Sequence, residues 1–267
     1  MNNYTIGFIG CGNMATAIMK GLIAKKLFAP DNIVCSDASS MAVARISESL
    51  GVKATTDNMN TVNSSDILVL AVKPQYYETV ISEIRDTIRP EQIIITIAPG
   101  KTISWLEDKF AKPVKLVRTM PNTPALVGEG MTGACKNSCI SDEEYETVLT
   151  ILGSFGVVES ISENLMDVCV SVSGSSPAYV YILIEAMADA AVADGMPRDK
   201  AYKFAAQAVL GSAKMVLDTG KHPGELKDMV CSPGGTTIEA VRVLEEKGFR
   251  SAVFEAMKAC VEKARGL

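Results

Sequence analysis

The first 160 residues alternate between short apolar runs and segments whose apolar side chains recur at helical spacing. Residues 66–72 form an almost unbroken apolar run, whereas residues 74–88 place apolar side chains three and four positions apart. Strands without polar alternation are typical of sheets covered on both faces, and short strands separated by helices are typical of βαβ units. The pattern predicts an α/β domain with a parallel sheet, whose strands cover residues 4–9, 32–36, 52–55, 66–72, 92–98, 114–119, 130–135 and 157–160.

The last third of the chain is predicted to be almost wholly helical and is rich in alanine and methionine. We therefore predict two domains, covering residues 1–162 and 163–267. The first has helices at residues 13–27, 41–50, 74–88 and 102–110, and one opened by a Ser141–Glu144 capping box. The second is all-α, with helices at residues 177–193, 198–219, 223–230, 237–247 and 249–265.

The chain of 267 residues contains one histidine, His222. A Ser–His–Asp triad would have to use it, and a zinc site with two histidine ligands is excluded. Because a proline and a glycine follow His222, we expect a turn there, and we expect no metal site. The net charge of −5 argues against a nucleic-acid partner.

The seven cysteines are scattered and form no C-x-x-C pair, which indicates reduced thiols in the cytoplasm. No basic residue precedes the first apolar run, so we expect no signal peptide. Residues 178–196 are strongly apolar but include Glu185, Asp189 and Asp194. This predicts a buried core helix and no membrane span.

A glycine-rich loop, GCGNMA at residues 10–15, lies between the first predicted strand and the first predicted helix. This context is what the dinucleotide-binding fingerprint requires. Gly10 permits the tight turn, Gly12 lets a pyrophosphate approach the backbone, and Ala15 allows close packing of the helix. The N–H groups at the helix start would bind the phosphates. A glycine turn without a ligand is the alternative, but the βαβ setting favours a Rossmann-type domain.

The second predicted strand ends at Ser36, where dinucleotide-binding domains distinguish NAD from NADP. Asp37 is placed to accept hydrogen bonds from the ribose of NAD and to repel the 2′-phosphate of NADP, unless Ser36 faces the ribose. Ser39, Ser40 or Arg45 could instead bind that phosphate. These residues leave the two cofactors undecided, and capping of the next helix is the alternative role for Asp37.

Two later loops follow strands at the same edge of the sheet, where open α/β sheets bind ligands. Lys73 is expected at the edge of the cofactor, with an ordinary solvated lysine as the alternative. Asn122 and Thr123 lie between two prolines and are expected to position a nicotinamide ring without acting as acids.

Two turns rich in glycine and hydroxyl groups precede helices of the second domain, at residues 173–177 and 232–237. Ser176 and Thr236 are the predicted N-caps, Thr236 in a capping box with Glu239. Free N–H groups at such helix starts bind small anions, and simple capping is the alternative. No lysine or histidine of this half lies in an obvious catalytic motif, which favours reduction of a C=N bond, because a protonated imine accepts hydride without a strong base.

Five motifs distributed along the chain closely resemble those of bacterial pyrroline-5-carboxylate reductases. They are IGFIGCGNM (6–14), AVKP (71–74), RTMPNTPALV (118–127), SVSGSSPAY (171–179) and LKDMVCSPGGTTIEAVRVL (226–244). The resemblance implies reduction of a cyclic imino acid, 1-pyrroline-5-carboxylate, to L-proline, the last step of proline biosynthesis, with NADPH as cofactor and NADH as the alternative. It also implies a Rossmann-type domain followed by an all-α dimerisation domain that interlocks two subunits, often in pentamers of dimers.

The resemblance further implies roles for individual residues. Thr237 would be catalytic, through a hydrogen bond to the ring nitrogen. Substrate-binding residues would be Glu163, Ser175, Ser176, Ser232, Gly234, Gly235 and Thr236. Cofactor-binding residues would be Phe8, Ile9, Gly10, Cys11, Gly12, Asn13, Met14, Ser36, Asn58, Ala71, Val72, Lys73, Pro74, Ala98, Pro99, Asn122 and Thr123. Pro99 and the loop after Ser36 depart from the usual family pattern, which leaves the cofactor preference open.

Two other functions share parts of this pattern. A β-hydroxyacid-type dehydrogenase has the same two-domain plan but needs a catalytic lysine in the second half, for which Lys200, Lys203 and Lys214 are the candidates. A non-catalytic NAD(P)-binding regulator would need only the first domain's site. Turnover of the imine distinguishes both from a reductase.

Overall fold

The structure, a computed structural model, describes residues 4–266. Residues 1–3, on which the expectation of no signal peptide partly rests, lie outside the described residues. The described chain divides into two compact units, one containing residues 4–175 together with 260–266, the other residues 176–259. The boundary predicted after residue 162 lies earlier in the chain than this division.

An eight-stranded sheet forms the centre of the first unit, in the order β3-β2-β1-β4-β5-β6-β7-β8. Strands β1 to β6 are parallel, β7 is antiparallel to β6, and β8 is parallel to β7. The strands are β1 Ile6–Ile9, β2 Ile33–Ser36, β3 Lys53–Thr55, β4 Ile67–Leu70, β5 Ile93–Thr96, β6 Lys115–Met120, β7 Gly130–Lys136 and β8 Gly156–Ser160. All eight predicted strands are present, and the predicted Rossmann-type fold is confirmed.

Alternate strand residues enter two separate apolar cores, one on each face of the sheet. Ile6 and Phe8 belong to one core, and Ile9 belongs to the other. In β4, Ile67 lies with the first core and Leu68 with the second, and all four residues of each of these strands are buried. Because both faces are covered, the strands carry no polar alternation, which is why the apolar runs predicted them.

All ten predicted helices are present, with ends shifted by a few residues. They are α1 Asn13–Ala24, α2 Ser40–Leu50, α4 Tyr77–Ile84, α5 Ile103–Phe110, α6 Asp142–Leu152, α8 Ser176–Ala193, α9 Arg198–Thr219, α10 Pro223–Val230, α11 Thr236–Glu246 and α12 Phe249–Arg265. Two short helices, α3 Asn58–Asn63 and α7 Met166–Cys169, were not predicted. The capping box of Ser141 and Glu144 forms at the start of α6. Pro74–Tyr76 is a 3₁₀ turn, so α4 starts later than predicted.

Helix α8 is not the buried core helix that its composition predicted. Ala188 is its only buried residue, while Tyr181 and Ile182 are exposed. The helical stretch 163–193 is long and apolar enough to cross a membrane by length and composition, and 17% of its most apolar window is buried. The apolar surface of α8 therefore remains uncovered by the described part of the chain.

A backbone contact between Gly130 and Gly156 joins β7 to β8. The two residues are paired in register, and a Cβ on Gly156 would lie 2.0 Å from the Gly130 carbonyl oxygen. Gly156 also has a φ of 155°, a conformation that L side chains rarely adopt. Only glycine fits at this position.

Gly156→Ala should lower the free energy of unfolding by roughly 3 kcal/mol or more, because the added methyl group forces the two strands apart. Gly128→Ala is the control: Gly128 also has a positive φ, 80°, but its Cβ would meet open space, so a loss of only about 1 kcal/mol is expected. Urea denaturation measures both values. Equal losses in the two variants would contradict the steric explanation.

Candidate active site

The glycine loop follows β1 at the point where the order of strands reverses. β1 lies between β2 and β4, and the residue after it, Gly10, has a φ of +105°. A Cβ on Gly10 would lie 2.7 Å from the Ala71 carbonyl oxygen, and its N–H donates to the Ser36 carbonyl at 2.7 Å. The loop is thus fixed against the ends of both neighbouring strands, the usual ligand position in such sheets.

Neither protein packing nor backbone conformation requires a glycine at position 12. Its φ of −73° suits any residue, and no atom lies within 4 Å of where its Cβ would be. It precedes α1, which begins without a side-chain cap. An open space beside an uncapped helix start fits an anionic group such as a pyrophosphate.

A cavity of about 410 Å³ opens at this edge of the sheet. Eight residues predicted for the cofactor line it: Ile9, Gly10, Gly12, Ser36, Asn58, Ala71, Val72 and Lys73. The remaining lining residues are Asp37, Ala38, Tyr76, Thr79 and Val80. Tyr76, Thr79 and Val80 were not predicted as cavity residues, because the helical spacing after Pro74 indicated only packing against the core. Exposed Tyr76 lies only two residues beyond the AVKP motif, a signal that could have indicated it.

Cys11 contributes its backbone to the loop, and its side chain is fully buried. Its N–H donates to Asp37 Oδ2 at 2.8 Å, and its Sγ lies 3.5 Å from the Ser36 carbonyl oxygen. A hydrogen bond with Cys35, together with burial, raises the pKa of the Cys11 thiol far above its ordinary value. Cys11 therefore stays neutral and is not a nucleophile.

A hydrogen-bond chain fixes the wall of the cavity beside β2. Ser36 Oγ donates to Asn58 Oδ1 at 2.8 Å, and Asn58 Nδ2 donates to Glu83 Oε2 at 2.8 Å. The sequence predicted Ser36 and Asn58 as neighbours of the adenosine, and the structure brings them together in the lining. The contribution of Glu83 was not foreseen.

The remaining cofactor candidates do not line the cavity. They are Phe8, Cys11, Asn13, Met14, Pro74, Ala98, Pro99, Asn122 and Thr123. Asn122 is buried, with its Oδ1 accepting from the Met131 N–H at 2.8 Å and its Nδ2 donating to the Ser173 carbonyl at 3.0 Å. Its amide already holds two parts of the first unit together.

The predicted turn at residues 173–177 is wrong. Val170–Gly174 is a π-helical segment, and the Ser175 N–H donates to the Val170 carbonyl at 2.7 Å. Ser176 begins α8 directly after this segment, so it does not cap a free helix start. Ser175 Oγ accepts instead from Cys260 Sγ at 3.3 Å.

Glu163, implied as a substrate contact, bonds within the first unit. Its Oε1 accepts from the Ile103 N–H at 2.7 Å and from Arg118 Nη1 at 2.9 Å. Arg118 is 5% exposed and also pairs with Asp167 at 3.6 Å. A buried guanidinium needs such partners, so Glu163 has a structural role there.

The turn at residues 232–237 is an exposed helix start, as predicted, but with a different cap. Helix α11 begins at Thr236, Gly235 is the N-cap, and no side chain caps it. Glu239 pairs with Arg242 at 2.7 Å, so the predicted capping box of Thr236 and Glu239 is wrong. Gly234 takes a φ of +68°, and the Gly235 N–H donates to the Ser232 carbonyl at 3.0 Å. The first N–H groups of α11 itself have no side-chain cap and can bind an anion.

His222 is the turn residue that its sequence context predicted. It is the N-cap of α10, and its Nδ1 accepts from the Gly224 N–H at 3.0 Å. Within residues 4–266 there is no cluster of three His, Cys, Asp or Glu side chains that could hold a metal ion.

Two family models match the chain. "Pyrroline-5-carboxylate reductase dimerisation" covers residues 163–267, and "NADP oxidoreductase coenzyme F420-dependent" covers residues 5–100. Solved structures of other dehydrogenases, such as prephenate dehydrogenase from Aquifex aeolicus (13% identity, TM-score 0.56), share the fold alone.

Relatives of known identity match over the whole chain. The pyrroline-5-carboxylate reductase of Escherichia coli is 53% identical over 98% of this chain and 97% of its own length, and that of Methanosarcina acetivorans is 43% identical over 100% and 99%. The reductase structure from Coxiella burnetii has a TM-score of 0.92 at 35% identity, covering 99% and 98%. One from Plasmodium falciparum, solved with NADP bound, has 0.91 at 32%, covering 100% and 98%. The chain belongs to the pyrroline-5-carboxylate reductase family.

Proposed function

We propose that this chain catalyses the NAD(P)H-dependent reduction of 1-pyrroline-5-carboxylate to L-proline. The observation that carries the proposal is the pair of uncapped helix starts in a chain of this family. One, at α1, follows the glycine loop beside the cavity, and the other, at α11, follows the exposed turn. The first suits a dinucleotide phosphate and the second a small carboxylate.

The residues around the cavity fit NAD(P)H. The N–H groups from Gly12 into α1 would hold the pyrophosphate, and Ser36 and Asn58 would lie beside the adenosine. The strand ends from Ala71 to Lys73 would follow the cofactor's length. When bound, the cofactor supplies the hydride that the imine carbon accepts.

The turn before α11 supplies the substrate groups. The Ser232–Thr236 turn would bind the carboxylate of the imino acid through N–H groups that it does not use itself, since Pro233 has none and the Gly235 N–H donates to the Ser232 carbonyl at 3.0 Å. The hydroxyl oxygen of Thr237 would accept a hydrogen bond from the N–H of the protonated imine and orient the ring as the nitrogen becomes an amine. A protonated imine is already electrophilic, so no strong base is required, in keeping with a single histidine that is committed to a turn.

Two alternatives receive less support. A β-hydroxyacid-type dehydrogenase would need a catalytic lysine. The candidate Lys214 forms an ion pair with Asp218 at 2.6 Å, and both side chains are more than half exposed. Lys200 and Lys203 are also exposed. A non-catalytic regulator would have no need of the free helix start at α11.

The second unit supports assembly of at least a homodimer, with a pentamer of dimers as the larger form. Its helices expose many large apolar side chains, among them Tyr181, Ile182, Phe204, Leu210, Leu217, Met229, Val230 and Phe254. A second copy of the dimerisation domain would cover them, and so would explain the exposed face of α8 without a membrane. A cytoplasmic location accords with seven free thiols.

Thr237→Ala should lower kcat for the imine by about 10²-fold or more, because a preorganised hydrogen-bond partner of the reacting nitrogen is lost. The dissociation constant of the reduced cofactor should change by less than about twofold, since Thr237 touches only substrate. The measurement is L-proline formation with purified protein, alongside a cofactor titration.

Thr237→Ser should recover most of the rate, because the hydroxyl returns. Thr150→Ala is the matched control, since the Thr150 hydroxyl bonds only the Glu146 carbonyl of its own helix, at 2.9 Å. Near-normal kcat in Thr237→Ala would remove Thr237 from the mechanism.

Phe204→Glu should convert the assembly to monomers, because Phe204 is 67% exposed on α9 and a buried carboxylate in the interface would be unpaired. Light scattering should give the native chain at least twice the monomer mass, and the value separates a dimer from a pentamer of dimers. Ser47→Glu, which places the same charge on exposed α2, should leave the mass unchanged. A native chain that is monomeric at all concentrations would contradict the proposal.

A further inference from the structure

We propose that Asp37 makes this chain prefer NADH to NADPH, by holding a fixed negative charge where the 2′-phosphate of NADPH would bind. The inference rests on the proposed function, because it concerns the cofactor of that reaction. Asp37 directly follows β2 and lines the 410 Å³ cavity together with Gly10, Gly12 and Ser36.

The Asp37 carboxylate is held by two backbone donors. Oδ2 accepts from the Cys11 N–H at 2.8 Å, and Oδ1 accepts from the Ser39 N–H at 2.9 Å. The Asp37 N–H is itself bonded to the Thr55 carbonyl at 3.2 Å. The charge therefore cannot rotate out of the cavity without losing both bonds. Each oxygen keeps a free lone pair, so the carboxylate can still accept from ribose hydroxyls.

The cavity lining places no cation beside Asp37. Among the lining residues, Lys73 is the only cation, and it follows β4. Because β1 lies between β2 and β4, the ends of those strands are about 10 Å apart. Glu83 accepts a hydrogen bond from the cavity residue Asn58 and contributes a second negative charge near the cavity. The Asp37 carboxylate would repel a phosphate dianion bound beside it, whereas it would accept hydrogen bonds from two ribose hydroxyls.

Arg45 is the one nearby cation that could favour NADPH. It lies on α2, is exposed, and its Nη2 donates to the Cys11 carbonyl at 3.3 Å. That bond directs the guanidinium toward the loop backbone, and in the described chain no ion pair within 4 Å joins it to Asp37. Arg45→Ala separates the two influences: if Asp37 dominates, this variant changes the ratio of the two cofactor affinities little.

The test is direct titration of purified protein with NADH and with NADPH, followed by nicotinamide fluorescence. The native chain should bind NADH at least about tenfold more tightly. Asp37→Asn, similar in size but uncharged, should reduce that ratio about tenfold, mainly by tightening NADPH. Asp37→Ser is the second variant if the amide disturbs the loop. Asp31→Asn, at the opposite end of β2, removes the same charge and should change neither affinity.

Equal or tighter binding of NADPH by the native chain would overturn the inference, and so would an unchanged ratio in the Asp37 variants. In either case the proposed reductase function would stand, provided that both cofactors bind and L-proline forms. Failure of both cofactors to bind would overturn the proposed function and this inference together.

Discussion

The arrangement at Gly10 is the constraint on which the site depends. The parallel sheet reverses its order between β1 and β4, and the chain leaves β1 so close to Ala71 that a Cβ would overlap the carbonyl. That approach fixes the loop, places Gly12 beside open space and directs the start of α1 to the strand ends. The cavity follows from the topology of the sheet, and its side chains only adjust which ligand it accepts.

The main feature of the second unit is the large apolar surface that its helices leave exposed. Its helices leave side chains such as Phe204 and Leu217 exposed, and α8 buries only Ala188. A soluble chain tolerates such a surface when another copy covers it, since burial of apolar area drives association. Under the proposed function, catalysis and assembly are linked, because the helix start proposed for the substrate carboxylate belongs to the unit that would pair.

The sequence predicted the strands and the glycine loop well because each depends on local pattern: unbroken apolar runs and a strand–turn–helix context. The sequence-based predictions were wrong where a hydrogen bond to a distant residue, or one that competes with the predicted turn, determines the local structure. The turn at residues 173–177 became π-helical, with Ser175 bonded to Val170, although its glycine and serines are typical of turns. The two bonds of the Asn122 amide and the pairing of Glu163 with Arg118 join residues far apart in sequence, which no local pattern indicates. The predicted burial of α8 is wrong because the described part of the chain leaves its apolar face exposed.

Transfer of deuterium from labelled cofactor to product tests the central claim most directly. Purified protein is mixed with 1-pyrroline-5-carboxylate and NADH or NADPH that carries deuterium at the transferring position, and the L-proline formed is analysed by mass spectrometry. The account predicts one deuterium per molecule, at C5, the former imine carbon, for whichever cofactor reacts. Cofactor binding without L-proline, or L-proline without the label, would contradict it.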